Sequence, residues 1–585
     1  MTADARRSVL TTLLRLKTHT AFLLQPRRPV LPAPTLQPFP ASETGRRFRK
    51  LLPVRTLFTC QEKMAADDPD IEQLFRYTSG RWLWDEEQQL QDRYKAFNVT
   101  QLQTLAAQAI GSDGCVSITK LAEGGFNKVF RLQMSDGKSL LARIPNPNAG
   151  PAFYTTASEV ATMEFVRDIL QVPVPRILGW SASSQNEVGS EYIFMEEAAG
   201  KQLATQWDDL TPDSKLAIMR EIVAIETKLL SVSFSHYGSL YFSSDKVDGA
   251  VPAQITSDAP IELKERVSKR FTIGPTVERD FWKKERGTMD ISRGPWSSAK
   301  EYASSVGWRE VDWITKYAVP KPSDDILSCT SQNEPRAHLN LLEKYLGIAP
   351  SLMDIDPLLS RPTLWHSDLH SSNFFVDNNR ITAVIDWQGS WAGPLLLQAQ
   401  PSPLVDYQGS ILLKRPANFD DLDSEQQVQI KRQIFKSTLF QLYLMETERR
   451  NPLLAKVFHL NHGKTRRLAV ELAGNTWDDE IVPFREALIN VEKHWQEMGI
   501  QGNCPYHFTE EELKGHAADA EGWNEVQDFF DSIEGLVKRD GWTHLETFDA
   551  AFDFFSNLRK LGLKSMKGQE RDIFDKQTSW ARGQS

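Results

Sequence analysis

After Cys115 the apolar positions begin to alternate. Val116, Ile118 and Leu121 lead into Glu123-Gly124-Gly125-Phe126-Asn127, and Phe130, Leu132 and Met134 then alternate with Arg131, Gln133 and Ser135. A period of two predicts strands. Asp136-Gly137 is a hairpin-turn signal, and Leu140 to Ile144 supply the returning strand. At about 156–170 the spacing changes. Val160, Met163, Phe165, Val166 and Ile169 mark the apolar side of a helix, which Val172-Pro173-Val174-Pro175 stops. A strand at 191–196 closes the unit, so residues 115–196 read β-β-β-α-β, small and mostly antiparallel.

Beyond Ala198-Ala199-Gly200 the helical period takes over. Thr211-Pro212-Asp213 starts a helix, with Thr as N-cap and Pro at its first position, and Leu216, Met219, Ile222, Ile225 and Leu229 form its buried stripe. Ser424 to Glu446 repeats the theme, and 480–499, 510–537 and 544–561 read as further helices. Thr509 and Glu512 have capping-box spacing at the start of one of them. Residues 270–335, interrupted by Pro275, Pro295, Pro320 and Pro322, read as an irregular insertion. The expected class is α+β, with a small antiparallel-sheet N-lobe at 67–196 and a large, mainly helical C-lobe at 197–585.

Composition adds limits. The 585 residues, 41% hydrophobic and 25% charged, are enough for more than one sizeable core. No apolar run approaches the ~18 residues of a transmembrane helix. Cys60, Cys115, Cys329 and Cys504 are scattered and form no CxxC pair, which fits a reducing interior. The net charge of -9 conceals a split: residues 1–63 carry +9 and the remainder -18. An acidic body excludes broad nucleic-acid binding, which needs clustered cations. In residues 1–66, Arg6, Arg7, Arg15 and Lys17 alternate with Val9, Leu10, Leu13, Leu14 and Leu16, and a proline-rich linker follows. That basic, acid-poor pattern reads as a mitochondrial targeting segment rather than a merely disordered tail.

The chemistry concentrates in His366-Ser367-Asp368-Leu369-His370-Ser371-Ser372-Asn373 and in Asp386. Phe374-Phe375-Val376 and Thr382-Ala383-Val384-Ile385, joined by Asp377-Asn378-Asn379-Arg380, form a hairpin in which Val376 faces Ile381 and Phe374 faces Ala383. Its open ends, Asn373 and Asp386, then meet. An amide oxygen and a carboxylate so placed suit Mg²⁺, which leaves its other positions to water and phosphate. Asp368 lies one loop away, where it accepts a proton from a substrate hydroxyl. Upstream, Gly124 and Gly125 permit close approach to a phosphate chain and Asn127 adds a donor. Arg143 is a cation beneath that lid, with Glu159 as its partner; taken alone the two would be an ordinary surface pair. Glu196 and Glu197 stand where the last strand of that unit ends. The set describes transfer of phosphate from ATP to a small hydroxylated or amine-bearing acceptor.

His366 to Asn373, with Ile385-Asp386-Trp387, resembles the catalytic-loop and metal motifs of aminoglycoside phosphotransferases and of related choline and homoserine kinases. Glu159 to Pro175 and Phe194-Met195-Glu196 resemble that family's helix and interlobe linker. Tyr77 to Trp84 and Gly125 to Phe130 resemble the fungal mitochondrial subgroup called altered inheritance of mitochondria protein 9. The resemblance implies a bilobal, protein-kinase-like fold, with Asp368 as catalytic base, Asn373 and Asp386 as metal ligands, and His366 bracing the loop. It also implies a mitochondrial location. Two departures stand out: Arg143 where the family usually has Lys, and Gly389-Ser390-Trp391-Ala392-Gly393-Pro394 where Gly-Asp-Pro often follows. They leave a second reading open, a kinase-like mitochondrial scaffold or regulator.

Three other patterns are weaker. On a strand, His366, Asp368 and His370 would face one way and hold zinc, although His338, His459 and His462 are not spaced to complete a site. His462-Gly463-Lys464-Thr465 lacks the earlier glycine of a P-loop, since Phe458 stands there. The sixteen tryptophans are read as packing rather than as a base-stacking platform.

Overall fold

The computed structural model describes residues 69–320 and 329–582. The basic segment expected to direct targeting lies outside the described residues. Five strands form one antiparallel sheet: β1 (Cys115–Glu123), β2 (Asn127–Met134), β3 (Ser139–Pro145), β4 (Ile177–Ser181) and β5 (Tyr192–Met195), in the order β1-β2-β3-β5-β4. Alternation drives it: Phe130, Leu132 and Met134 of β2 are buried, while the residues between them are partly exposed. Gly137, at φ +84°, makes the turn into β3. Strand β4 was not expected. Ile177-Leu178-Gly179-Trp180-Ser181 has neither alternation nor length, and pairing to β5 is what orders it.

Two helices cover this sheet. Helix α1 (Val99–Ile110) is capped by the Asn98 side chain and closed by Gly111 at φ +66°, and it buries Leu102, Ala106 and Ala107. Helix α2 (Tyr154–Asp168) is buried on almost every side. Its Val160, Met163, Phe165 and Val166 belong to the largest apolar cluster, which runs on through the helical region to Phe508.

That region begins with α3 (Pro212–Leu229), where the Thr211 hydroxyl accepts from Ser214 N at 3.2 Å. Residues 270–335, expected to be irregular, are not so throughout. They hold a strand, Phe271–Gly274, and a 19-residue helix, Ala299–Tyr317, capped by Ser298. The prolines fall outside that helix, whose Tyr302, Ala303, Val306, Trp313 and Ile314 face the core. It packs on the helix Pro335–Leu352.

The two ends of the described chain meet. Arg81–Trp82 pairs antiparallel with Trp542–Thr543, and Leu83 and Trp84 share an apolar cluster with Phe529, Phe530 and Phe555. A Cβ on Gly80 would lie 2.6 Å from the Thr543 carbonyl, so glycine allows this closure. No helix among the described residues is long and apolar enough to cross a membrane.

Candidate active site

Strand Pro362–Leu364 pairs with Ala392–Pro394 and releases the chain into a loop at His366. His366 is buried, and its ring ties the loop to the end of the hairpin. Nε2 donates to the Ile385 carbonyl at 2.9 Å, and Nδ1 accepts from Asp368 N at 3.2 Å. Burial pushes its pKa down, which keeps it in that neutral tautomer. Its ring also meets the buried Trp387 edge-on at 4.7 Å. The zinc arrangement fails here: residues 365–370 are loop, not strand, and both His366 nitrogens are used internally. His370 accepts from Ser372 N at 3.1 Å and caps the turn Ser371–Asn373. Its Nε2 lies 3.3 Å from Asp368 Oδ2.

The hairpin consists of β6 (Phe374–Asp377) and β7 (Arg380–Val384), turning at Asn378 and Asn379, both with positive φ. Val376 faces Ile381 as expected, but Phe374 faces Val384 rather than Ala383. A bulge at Thr382 causes the shift. The Thr382 hydroxyl donates to the Ala199 carbonyl, and Gly200 allows the approach, since a Cβ there would lie 2.6 Å from the Val376 carbonyl. The open ends do meet: Ile385 N donates to the Asn373 carbonyl at 3.0 Å. Val384 N donates to Pro173 O at 2.8 Å, pinning the hairpin to the segment after α2.

At that junction Asn373 is buried and its amide nitrogen donates to Asp368 O at 2.9 Å. The nitrogen is thus committed inward, and the amide oxygen is the atom available to a ligand. Asp386 sits at φ +63°, a region that Asp tolerates better than most residues, with its side chain 45% exposed. Asp368 is 58% exposed. The junction therefore leaves both carboxylates, Asp368 and Asp386, exposed.

Arg143 of β3 is the hub across from them. Nη1 pairs with Glu159 of α2, and Nη2 donates to Asp386 Oδ1 at 3.0 Å and to Gln388 Oε1 at 2.6 Å. Asn127 joins the same cluster, its amide nitrogen donating to Gln388 Oε1 at 2.6 Å. Burial pushes the guanidinium pKa down and the Asp386 charge opposes this, so the group stays cationic. Gln388 also donates to Ala149 O at 2.9 Å, linking the loop after Asp386 to the loop after β3.

A Cβ added to Gly124 or Gly125 would meet no protein atom within 4 Å, so the space beside them is open. The loop they form is held by Asn148, which donates to Gly125 O at 3.2 Å, and by Arg279, whose guanidinium lies 3.5 Å from the centre of the Phe126 ring. Glu196 N donates to Arg176 O at 2.9 Å and is thereby occupied, while the exposed Glu197 side chain pairs with Arg131. Beside Ser367 lies a cavity of about 620 Å³, lined in part by Glu278, Asp280, Trp391, Asp406, Arg467 and Glu471. Glu278 is half-buried there, and desolvation pushes its carboxyl up to about 7.

The structure joins Arg143, Glu159, Asp386 and Asn127 through one hydrogen-bonded network and ties Asn373 to Asp368 in the adjoining loop, with Glu196 and Glu197 at the end of β5. Gln388 and Arg279 were not anticipated. Gln388 stood two residues beyond Asp386, a signal of proximity. Arg279 carried none, because it is 153 positions from Phe126 and lies in the stretch read as irregular.

Comparison with known proteins bears on the same segment. The signature of the phosphotransferase enzyme family matches residues 318–397, which contain the loop and hairpin. A subtelomeric hrmA-associated cluster protein of Aspergillus fumigatus is 32% identical, covering 79% of this chain and 96% of that one. Altered inheritance of mitochondria protein 9 of Yarrowia lipolytica is 27% identical over 87% of this chain and 91% of its own. Among solved structures, an aminoglycoside phosphotransferase APH(4)-Ia variant in complex with ADP and hygromycin B aligns with 67% of this chain and 97% of its own, at 16% identity and a TM-score of 0.33. The mitochondrial placement expected from the N-terminal segment is the one that several of the relatives' names carry. The chain belongs to the family of the Aspergillus fumigatus subtelomeric hrmA-associated cluster protein, carries a phosphotransferase-family domain, and is similar to the fungal altered inheritance of mitochondria protein 9.

Proposed function

We propose that the chain is a bilobal, kinase-like phosphotransferase that moves the γ-phosphoryl group of ATP to a hydroxyl of a small molecule. Residues 67–196 form the lobe over the nucleotide and 197–585 the lobe that carries the loop and acceptor cavity. The segment 1–66 directs import. The observation that carries the reading is the closure of the β6–β7 hairpin: it sets Asn373 beside Asp386, and Asp386 lies 3.0 Å from Arg143.

The donors present fit Mg²⁺, since the Asn373 amide oxygen and the exposed Asp386 carboxylate are hard ligands. When bound, the metal ion neutralises phosphate charge. Arg143 adds positive charge on the phosphates, and Glu159 fixes its guanidinium in the sheet. Gly124 and Gly125 let backbone approach the phosphate chain. With Glu196 N occupied, the adenine contact falls to the backbone after it, at Glu197. Asp368 takes the acceptor proton as the acceptor oxygen bonds to the γ-phosphorus, and the bond to the β–γ bridging oxygen breaks to release ADP. His366 holds Asp368 in place through the backbone. The cavity beside Ser367 accommodates the acceptor, and its carboxylates suit one that also bears an amine.

A screen of hydroxylated metabolites for acceptor-stimulated ADP release tests this, with Asp368→Asn as control. The expected result is turnover with at least one acceptor that falls about 10³-fold in the variant, the size of a general-base contribution. Equal turnover in the variant would refute the assignment of the base.

One observation favours a second reading, that of a kinase-like scaffold. Arg143 already satisfies both terminal nitrogens on Glu159, Asp386 and Gln388 without a ligand. A scaffold would bind nucleotide, if at all, with no acceptor-stimulated turnover.

A further inference from the structure

His462, His494 and Glu497 converge on the opposite end of the helix that lines the cavity. His462 precedes the helix Gly463–Ala473, and His494 and Glu497 lie one turn apart where the helix Ile481–Lys493 continues. Backbone bonds carry that continuation: His494 N donates to Asn490 O at 3.1 Å and Met498 N to His494 O at 3.0 Å. Three residues apart on a helical turn, His494 and Glu497 share one face.

Their geometry is specific. His462 Nε2 and His494 Nδ1 both point at one atom, Glu497 Oε2, at 2.9 and 3.1 Å. The two rings are stacked, 4.5 Å apart and 25° from parallel. The candidate ligand atoms of the three residues all lie within 4.8 Å of one another. Zinc bonds of about 2.0–2.1 Å to nitrogen and oxygen require tetrahedral edges of roughly 3.3 Å, a few tenths beyond the two contacts.

The frame around them is fixed independently of any metal. Arg466, on the same helix as His462, donates to Met498 O at 2.7 Å and to Leu352 O at 2.9 Å. Asn461 donates to Glu497 O at 3.1 Å. The ligands are therefore held at their separation by backbone contacts, which lowers the cost of assembling a site.

We propose that His462, His494 and Glu497 bind one divalent transition-metal ion of the zinc type, with a fourth position left to water. Two imidazoles and one carboxylate select such ions over Mg²⁺, so this site is chemically separate from the phosphotransfer centre. The ion clips the start of the Gly463–Ala473 helix to the turn at 494–497. Since Arg467 and Glu471 of that helix line the cavity, the clip sets the position of one cavity wall.

Zinc titration of the full chain by calorimetry, with Mg²⁺ in excess, tests this. The parent should take up one zinc ion that His462→Ala and His494→Ala each lose, with affinity at least 100-fold weaker. Cobalt(II) should give a d–d spectrum without a thiolate charge-transfer band, which separates the site from the cysteines. Zinc should also raise the Tm of the parent by several degrees and leave both variants unchanged. If the parent binds no zinc, or if parent and both variants bind it with equal affinity and stoichiometry, the proposal is wrong. Circular dichroism of each variant shows that a lost site is not a lost fold, because all three side chains lie at least partly at the surface.

Discussion

Two arginine–glutamate networks in this protein are built from the same groups and end differently. In the helical region Arg286, Glu310 and Arg309 are sealed: their side chains are at most 2% exposed, and the Glu310 carboxylate receives Arg286 Nε at 3.0 Å and Arg309 Nε at 2.8 Å. Trp313 and Phe281 cover the two guanidinium planes at 4.3 Å each. At the sheet, Arg143 and Glu159 are nearly as buried, yet their network runs out into Asp386, which is 45% exposed. The first network stays inside the fold, its one further side-chain bond among the described residues running from Arg309 Nη2 to the Gly474 carbonyl at 2.8 Å. The second ends in an exposed carboxylate, Asp386, at the junction where Ile385 N donates to the Asn373 carbonyl. On the proposed function that open end is what sets the second network apart from the first, because a buried charge network of either kind is equally dependent on its partners.

The contrast can be broken from the closed side first. Glu310→Ala strands two buried cations and should cost about 3–5 kcal/mol, measured by urea denaturation. Asp368→Asn should lower kcat about 10³-fold while leaving the urea midpoint unchanged, because the side chain is exposed and its backbone makes the local contacts. Arg143→Lys keeps the charge and loses the fork. With one charge-assisted hydrogen bond worth about 1.5 kcal/mol, ATP affinity should fall roughly tenfold, read by calorimetry.

The smallest effect concerns a third buried acid. Glu226 of α3 accepts from Tyr443 OH at 3.0 Å, and burial pushes its carboxyl up to about 8. A raised folded pKa means that the native state holds the proton over a range where the unfolded chain has lost it. Glu226 therefore contributes most stability at acid pH, and that contribution is lost as pH rises from the ordinary carboxylate range through about 8. Glu226→Gln should flatten the dependence of Tm on pH across that window and exceed the parent by a few degrees at its upper end. Parallel Tm curves for parent and variant would contradict the assignment.

Much of the sheet and of the loop chemistry was legible because it is local. Alternation at Phe130, Leu132 and Met134 specifies one buried face, and Asn378-Asn379 specifies a two-residue turn, so Val376 opposite Ile381 followed from counting. Counting failed at Thr382, where a tertiary contact to Ala199 introduces a bulge. It failed also for Ala299–Tyr317, because the surrounding prolines obscured a helical stripe between them. The contacts made by Arg279 with Phe126, and by Arg81–Trp82 with Trp542–Thr543, join segments far apart in the chain. No local pattern encodes such pairs; they depend on where the completed fold brings each segment.

The central claim is that the open end of the Arg143 network is a nucleotide site. Calorimetric titration of ATP with and without Mg²⁺, into the parent and into Asp386→Ala, tests it most directly. The account predicts Mg²⁺-dependent binding by the parent that the variant loses while it remains folded, as its own cooperative urea transition shows. Binding of ATP that is indifferent to Mg²⁺ and to Asp386→Ala would contradict it.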